Sequence, residues 1–380
     1  MRKGFTTGSC SAAAAGAAAR AALTGEFPEK AVILLPQGKR LALPVLHKEK
    51  EKHMAVCAVK KDSGDDPDVT NGALVFAQIR LVVRSEFEER CSQPGTVVMG
   101  QNILLKGGLG IGTVTKPGLA CSIGEPAINP MPRKMIEQAV KSEMERADYD
   151  GFAEVIISIP EGVSLAEKTF NPKLGIKGGI SVLGTTGIVE PMSEQALIDT
   201  IKVEMQVCRA AGNRTAVITP GNYGKRFLKD STDITEEMTV KSSNFIGEAL
   251  DFAVEEQFEA VVLSGHLGKL IKVAGGVMNT HSKYGDGRMD FMADIAKACG
   301  ADQNLVENIL GCVMVDEAVR ILGEAGLAEA TMEETARRVC LHMERRTGMK
   351  NCGAIIFSNK YGLLAQTENV PQLLRKNEEK

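Results

Sequence analysis

The sequence predicts an α/β protein of two domains, and three observations support this prediction. A length of 380 residues suits two domains. Strand-like apolar runs dominate the first 150 residues, whereas strand-like and helical segments alternate from there on, as in a mostly parallel sheet covered by helices. After Gly287 the pattern is mostly helical, apart from a closing hairpin over residues 353–366. We therefore expect an α+β domain over residues 1–150 and a Rossmann-like domain with a helical carboxyl-terminal segment over residues 151–380.

Composition argues against several classes of protein. The formal net charge is −3, so no overall field attracts nucleic acid or an anionic membrane surface. Tryptophan is absent and aromatic residues make up 4%, which leaves few platforms for stacking bases. No apolar segment is long enough to cross a bilayer, and the alanine-rich amino terminus lacks the strongly apolar residues of a signal peptide. We expect a cytoplasmic protein whose oligomeric state is open, with a homodimer as one option.

The amino-terminal segment predicts a deeply packed helix. Thr6, Thr7 and Ser9 are residues that cap helices, and they precede an alanine-rich run that ends before Gly25. A hydroxyl-rich helix start can serve as an ordinary cap or can hold an anion against free backbone N–H groups. Both interpretations stay open.

Two loops of the first half carry possible chemistry. The carboxylate-rich loop of residues 62–72 includes Asp65, Asp66 and Asp68; it could hold a hard cation, act as a base, clamp a hydroxyl or a positive ligand, or be a solvated turn. The glycine-rich loop Lys106–Gly112 suggests phosphate, although it matches neither the Walker A order nor the G-x-G-x-x-G spacing. The nine cysteines are dispersed without a C-x-x-C pair, so no zinc site or disulfide framework is indicated.

Four loops, three of which contain glycine, organise the chain from residue 175 onward. The segment Gly175–Ser193 is interpreted as a strand at residues 180–183, a turn Gly184–Gly187 and a helix start. The pattern recurs at residues 220–224, 241–244 and 264–269. Loops at the carboxyl ends of parallel strands line one crevice, where ligands bind. The sequence therefore predicts that all four loops share that crevice.

These motifs resemble the cobalt-precorrin-5B C-1 methyltransferase family of anaerobic cobalamin synthesis. The resemblance runs in order from Arg2 to about Gln366. It rests on long segments, which are GFTTGSCSAAAAGAA, DDPDVTNGA, GIGTVTKPGLA, GEPAINPMPR, FNPKLGIKGGISVLGTTGIVEPMS, PGNYG, KSSNFIGEALD and SGHLGKLIKVAGGVMNTHS. Asn71 stands where many relatives are expected to carry His, so no acid/base role is assigned to it.

The resemblance implies that S-adenosylmethionine donates a methyl group to C-1 of cobalt-precorrin-5B, which gives cobalt-precorrin-6A. Glycine loops and a carboxylate for the ribose suit this cofactor, and Glu190 is the candidate for the ribose. The candidate cofactor-binding residues are Gly184, Thr185, Thr186, Gly187, Glu190, Gly221, Asn222, Tyr223, Asn244 and Gly265. Cobalt would arrive inside the tetrapyrrole, so no metal site of the protein is expected.

The implied tetrapyrrole carries carboxylates, which favour Arg and Lys as partners. The candidate substrate-binding residues are Thr6, Thr7, Ser9, Lys116, Arg133, Lys225 and Lys269. His266, at a strand end ahead of a helix, is the first candidate for a catalytic base, or else it caps that helix. His281 is a weaker second, and Asp66 and Asp68 are candidates from the other domain.

Two other functions remain open at this point. The loop Lys106–Gly112 would serve a nucleotide-dependent kinase or ligase. A non-catalytic carrier of tetrapyrrole intermediates would use the same basic residues without chemistry.

Overall fold

The computed structural model describes residues 1–221, 238–375 and 377. The chain divides into two compact units, Met1–Ser193 and Glu194–Lys380. Each unit contains its own sheet and its own core.

The first unit is a mixture of strands and helices. Its helices are α1 (Thr7–Thr24), α2 (Arg84–Cys91), α3 (Pro130–Arg146) and α4 (Gly162–Ala166). Its longer strands are β2 (Lys30–Leu34), β3 (Arg40–Pro44), β4 (His47–Glu51), β5 (Met54–Lys60), β6 (Leu74–Val82), β7 (Thr96–Met99), β8 (Ile103–Gly107) and β11 (Phe152–Ser158). Its two-residue strands are β1 (Gly4–Phe5), β9 (Gly110–Ile111), β10 (Thr113–Val114), β12 (Ile176–Lys177), β13 (Gly179–Ile180) and β14 (Ile188–Val189).

A six-stranded mixed sheet forms the centre of this unit, in the order β4-β5-β6-β11-β8-β7. Strand β11 runs antiparallel to β6 and parallel to β8, so it lies in the middle of the sheet. This pairing moves the division of the chain to Ser193, whereas the sequence analysis placed it near residue 150. The expected boundary is corrected because residues 152–158 complete the first sheet rather than begin the second.

Helix α1 is buried on almost every face, as its alanine composition predicts. It packs against α3 and against strands β5 and β6. The Thr6 side chain caps its amino terminus, and Gly25 ends it in the left-handed region, with φ 85°. The hairpin of β2 and β3 covers a further side through Ala31 and Ile33.

The second unit contains eight helices and five strands among its described residues. The helices are α5 (Glu194–Ala210), α6 (Ile246–Glu255), α7 (Leu267–Ala274), α8 (Arg288–Ala298), α9 (Gln303–Leu310), α10 (Val315–Glu324), α11 (Ala328–Thr347) and α12 (Val370–Arg375). The strands are β15 (Thr215–Thr219), β16 (Thr239–Lys241), β17 (Ala260–His266), β18 (Cys352–Ser358) and β19 (Gly362–Gln366).

These strands form one sheet in the order β16-β15-β17-β18-β19. The first four strands are parallel, and β19 is an antiparallel edge strand, so the sheet is mixed. The closing hairpin expected from the sequence is the β18–β19 pair. The helix expected to begin near Lys225 lies outside the described residues. Within the described part of the chain, no helix is both long enough and apolar enough to cross a membrane.

Candidate functional site

The carboxyl edge of the parallel strands gathers three of the four predicted loops. Strands β16, β15 and β17 are neighbours, and each ends at this edge. The loops after them bring Gly221, Asn244, Gly265, His266 and Lys269 to one region of the second unit. Asn222, Tyr223 and Lys225, which the sequence analysis placed in the same site, lie outside the described residues.

Lys269 ties these loops together. Its Nζ donates to the carbonyl of Pro220 at 2.7 Å and to that of Ser243 at 3.3 Å. Burial lowers the pKa of Lys269, and the nearby Lys241 lowers it further. The expectation that Lys269 binds a substrate carboxylate is therefore not supported, because its contacts make it a cross-link between loops.

His266 is the amino-terminal cap of α7. Its Nδ1 accepts the backbone N–H of Gly268 at 3.1 Å, so in the neutral ring Nε2 carries the proton. Burial lowers the pKa of His266, against an opposing effect of Asp316. A ring in this tautomer donates from Nε2, so the geometry does not fit the expected role of a base. His281 has the same arrangement, with Nδ1 accepting the N–H of Lys283 at 3.0 Å.

Three hydroxyl groups at this edge have no hydrogen-bond partner among the described residues. They belong to Thr219, Ser242 and Ser264, whose side chains are fully buried. The sequence analysis placed Ser242 and Ser264 in the predicted loops but did not name any of the three as a binding residue, because a Ser or Thr at a strand end gives no sign of whether its hydroxyl is satisfied.

Two glycines near these hydroxyls, Gly221 and Gly265, differ in the room that a side chain would have. A Cβ added to Gly221 would meet no atom of the described residues within 4 Å. A Cβ on Gly265 would lie 2.2 Å from Cδ1 of Leu270, so a larger residue there would require the Leu270 side chain to shift. The Asn244 side-chain oxygen accepts the hydroxyl of Thr280 at 3.2 Å.

The fourth predicted loop, Gly184–Gly187, lies in the first unit. It packs on the start of α1, where the Ser9 hydroxyl donates to the Gly187 carbonyl at 2.6 Å and the Gly8 N–H donates to the Leu183 carbonyl at 2.9 Å. A Cβ on Gly184 would lie 2.2 Å from Oγ1 of Thr6. The prediction that this loop follows a strand of the parallel sheet is therefore wrong, and its glycines permit close packing. The intervening Thr185 and Thr186 are exposed.

The start of α1 is capped by the protein itself. Thr6 Oγ1 accepts the N–H of Ser9 at 3.2 Å, and the Thr6 carbonyl accepts the N–H of Cys10. Thr7 and Ser9 are buried. Of the two interpretations, the contacts support capping, so an anion or substrate role for Thr6, Thr7 and Ser9 is not supported.

Charged side chains form an exposed group beside this helix start, which we name the amino-terminal charged cluster: Arg2, Lys3, Asp62, Asp66 and Glu190. Lys3 pairs with Glu190 and lowers the pKa of that carboxyl group. Arg2 Nη2 donates to Asp62 at 2.8 Å, and this pairing lowers the pKa of Asp62. Asp66 accepts the backbone N–H of Met192 at 3.0 Å. The predicted ribose partner Glu190 is thus part of the first unit, not of the second sheet.

Asp68 is committed to a buried ion pair. Its partner Lys61 is 2% exposed and also donates to the hydroxyls of Thr70 at 2.6 Å and Ser63 at 3.0 Å. Burial acts to raise the pKa of Asp68, but Lys61 and the bonds from Thr70 outweigh it and lower the pKa. A carboxylate stabilised in this way is a weak base, so the expected catalytic role of Asp68 is corrected to a structural one. Within the described ranges, no group of His, Cys, Asp or Glu side chains could hold a metal ion.

Arg133 also has structural partners. Its Nε donates to the Ile128 carbonyl at 2.6 Å and its Nη2 to Glu125 at 2.8 Å, which fixes the proline-rich loop before α3. Its expected role in holding a substrate carboxylate is therefore not supported. Lys116 is partly exposed and lies against Gly175.

The glycine-rich loop Lys106–Gly112 is filled by protein backbone. A Cβ on Gly110 would lie 1.7 Å from the Ile159 carbonyl oxygen, and one on Gly162 would lie 2.1 Å from the Gly110 oxygen. A Cβ on Gly179 would lie 2.2 Å from that same oxygen. These glycines let three backbone segments touch, so the phosphate-loop interpretation is not supported.

A basic groove of about 680 Å³ lies between α1, the β2–β3 hairpin and α3. Its cationic lining comprises Arg20, Lys30, Arg40, Lys134, Lys141 and Arg146, against Glu137, Glu143 and Glu145. Three of the cations are paired, Arg20 with Glu26, Lys141 with Glu137 and Arg146 with Glu143. Sequence analysis missed this groove because its residues come from four elements that are distant in sequence.

Comparisons with known proteins agree along the chain. Residues 1–191 match the CbiD family, and residues 279–368 match the CbiD C-terminal domain. A cobalt-precorrin-5B C(1)-methyltransferase of Ruminiclostridium cellulolyticum is 43% identical over 92% of this chain and 87% of its own length. The protein of that name from Alkaliphilus metalliredigens is 40% identical over 98% of this chain and 94% of its own.

One solved structure is also similar. It is the cobalamin biosynthesis protein CbiD of Archaeoglobus fulgidus, 28% identical, with a TM-score of 0.39 over 76% of this chain and 84% of that one.

Proposed function

Because this chain belongs to the CbiD family, whose curated relatives are cobalt-precorrin-5B C(1)-methyltransferases, we propose that it methylates C-1 of cobalt-precorrin-5B to give cobalt-precorrin-6A. The observation that carries the proposal is the similarity along nearly the whole chain, at 40% identity over 98% of it. The methyl donor in this proposal is S-adenosylmethionine. When bound, it supplies an electrophilic methyl group on a sulfonium.

We place the donor at the carboxyl edge of β16, β15 and β17, so that the second unit acts as a Rossmann-like cofactor domain. The residues at this edge suit the donor. No described atom would meet a Cβ on Gly221, Ser243 adopts a left-handed turn with φ 54°, and three buried hydroxyls lack protein partners among the described residues. Backbone and small polar groups of this kind allow a ligand to approach the sheet closely.

The chain's own contribution to the reaction is positioning. The acceptor is an electron-rich ring carbon, so no protein nucleophile is required and alignment supplies most of the rate enhancement. His266 takes the role of a donor from Nε2–H that orients a bound group, since its Nδ1 is engaged by Gly268. Lys269 keeps the loops after β15 and β16 at a fixed separation.

The tetrapyrrole belongs to the first unit in this proposal. The amino-terminal charged cluster offers Arg2 and Lys3, which are about 60% exposed and close to the end of the unit at Ser193. Carboxylates of the substrate can replace Asp62 and Glu190 as partners of these cations. The double variant Arg2→Gln/Lys3→Gln should raise the KM for the tetrapyrrole. If Arg20→Gln/Lys134→Gln raises it instead, the basic groove holds the substrate.

One experiment tests the function itself. The protein is incubated with cobalt-precorrin-5B and S-adenosylmethionine, and the molecular mass of the product is measured by mass spectrometry. We expect the mass of one added methyl group; an unchanged mass would indicate a carrier. Calorimetry on the same protein should detect binding of S-adenosylhomocysteine and no binding of ATP. Binding of ATP without binding of S-adenosylhomocysteine would indicate a nucleotide-dependent kinase or ligase.

A further inference from the structure

The unpartnered hydroxyls at the sheet edge form an ordered set. Thr219 and Ser264 each lie one residue beyond the last ladder pair of β15 and β17, Ile218 with Leu263, so they are neighbours on adjacent parallel strands. Side chains alternate across a strand, so two residues at matching positions point to the same face of the sheet. Ser242 follows the end of β16, and its N–H donates to the Thr219 carbonyl at 3.0 Å.

Neighbouring contacts identify that face. Val217 and Val262 precede Thr219 and Ser264 by two residues, and both pack in the small core beneath α12 with Leu373. At the other end of β15, Thr215 occupies the same face and is equally buried. Its hydroxyl donates to the Leu373 carbonyl at 2.6 Å. At one end of β15 the Thr215 hydroxyl therefore has a hydrogen-bond partner. At the other end the Thr219 hydroxyl has none among the described residues.

A buried hydroxyl without a partner lowers the stability of the fold. Three such groups at the ends of three adjacent strands are costly for the free protein, and a ligand that bonds to them removes that cost. From this arrangement we propose that Thr219 and Ser264, with Ser242, bind the nucleoside half of the methyl donor. This inference rests on the proposed function, since it assigns residues to the donor site.

The chemistry of the three groups selects the nucleoside half. Hydroxyls are neutral, and each can donate and accept a hydrogen bond, which matches the alternating donors and acceptors of an adenine edge or a ribose diol. A carboxylate buried against neutral groups would lack a countercharge, which is unfavourable. Of the two cations nearest this edge, Lys269 is on α7 with its Nζ held by two backbone carbonyls, and Lys241 is the last residue of β16.

The test uses three single variants of the full chain: Thr219→Val, Ser264→Ala and the matched control Thr215→Val. Each of the first two should weaken binding of S-adenosylhomocysteine about tenfold, as expected for one lost hydrogen bond to a buried group. Both should also leave the melting temperature of the free protein unchanged or raise it, because an unsatisfied hydroxyl is removed. Thr215→Val should lower the melting temperature and leave the affinity unchanged.

A second ligand locates the contact. Binding of 5′-methylthioadenosine, which lacks the amino-acid half, should weaken by the same factor as S-adenosylhomocysteine in Thr219→Val. If only S-adenosylhomocysteine weakens, the hydroxyls face the amino-acid half and the inference is wrong. A lower melting temperature of free Thr219→Val, or unchanged affinity, also overturns it. If the wild type binds neither compound, the proposed donor itself is rejected.

Discussion

His266 lies where β17 ends and α7 begins, and its ring already has a task there. Nδ1 accepts the Gly268 N–H, and the ring edge packs against Phe357 with centroids 6.0 Å apart. Of the two roles that the sequence leaves open, the cap is the one with an observed partner. What the ring does for a substrate therefore has to be measured separately from what it does for the helix.

Replacement by Asn separates the two roles, because an Asn side-chain oxygen also caps a helix. We expect His266→Asn to keep wild-type stability, whereas His266→Ala loses about 1 kcal/mol, the usual effect of a lost cap. If His266 also orients a bound group, turnover falls in both variants. Wild-type turnover in His266→Asn would reduce the residue to a cap.

The pH dependence of stability gives a further prediction for His266. Burial lowers its pKa in the folded protein, so the folded state favours the neutral ring. The neutral His266 ring therefore contributes its full stabilisation above the ordinary histidine pKa of about 6.5. That stabilisation is lost as the pH falls through the lowered pKa of the folded protein. Urea denaturation across this range should show a smaller acid loss in His266→Asn. Burial lowers the pKa of His342 as well, so His342→Gln should also show a smaller acid loss.

The buried pair Lys61–Asp68 predicts a large loss of stability on removal of one partner. Asp68→Ala leaves the Lys61 ammonium buried without its countercharge, which costs about 3–5 kcal/mol in comparable pairs. The double variant Lys61→Met/Asp68→Ala should recover part of that loss. Chemical denaturation of the wild type, the single variants Asp68→Ala and Lys61→Met, and the double variant measures the coupling, and additive losses would show that the pair is not coupled.

At this scale the sequence supplied residue types but not their partners. Asp68, Arg133 and Lys269 are polar residues beside motif loops, as functional residues often are. Their actual partners are Lys61, Glu125 and two backbone carbonyls. Each of these pairings depends on how the chain folds back on itself, which a list of candidate residues does not contain.

The sequence pattern also has a limit in predicting short strands. The apolar runs at residues 215–219 and 260–264 were predicted as strands and are β15 and most of β17. The run at residues 180–183 forms only the end of the two-residue strand β13, which pairs with β9. A short apolar run next to glycines fits a buried strand and a packed loop equally well, so the pattern cannot distinguish them.

The glycine-rich loop gives a prediction with a matched control. Gly110 and Gly38 both have φ 79°, but a Cβ on Gly110 would meet the Ile159 carbonyl, whereas Gly38 has no described atom within 4 Å. Gly38→Ala should cost about 1–2 kcal/mol, the strain of a left-handed residue with a Cβ. Gly110→Ala should cost about 3 kcal/mol or more, because strain and overlap add. Equal losses in thermal or urea unfolding would contradict the packing role.

For the whole molecule, the division at Ser193 predicts which fragment folds. A fragment of residues 1–193 contains every strand of the six-stranded sheet and the core around α1. We expect it to unfold cooperatively in denaturant. The fragment of residues 1–150 lacks β11, the strand between β6 and β8, and we expect it to be unfolded or aggregated. Cooperative unfolding of the shorter fragment would restore the earlier boundary.

The sequence predicted the two-part organisation but not the place of the division. The sequence pattern does change near residue 150, from mainly strand-like runs to alternating strands and helices. The predicted strand at residues 154–159 exists as β11. Its partners β6 and β8 come from much earlier in the chain. The local pattern of predicted elements reflects residues that are close in sequence, whereas the sheet to which a strand belongs depends on which strands are close in space.

The pairing of β1 with β14 has a consequence for synthesis. Residues 4 and 5 pair with residues 189 and 188, so they wait for partners that are translated about 180 residues later. At about 5–20 residues per second, this delay is on the order of ten to forty seconds. The strands and the helix that cover the alanine-rich α1 are complete only at residue 146, so α1 is incompletely covered for most of that time. We expect a nascent chain in this state to bind chaperones that shield apolar segments.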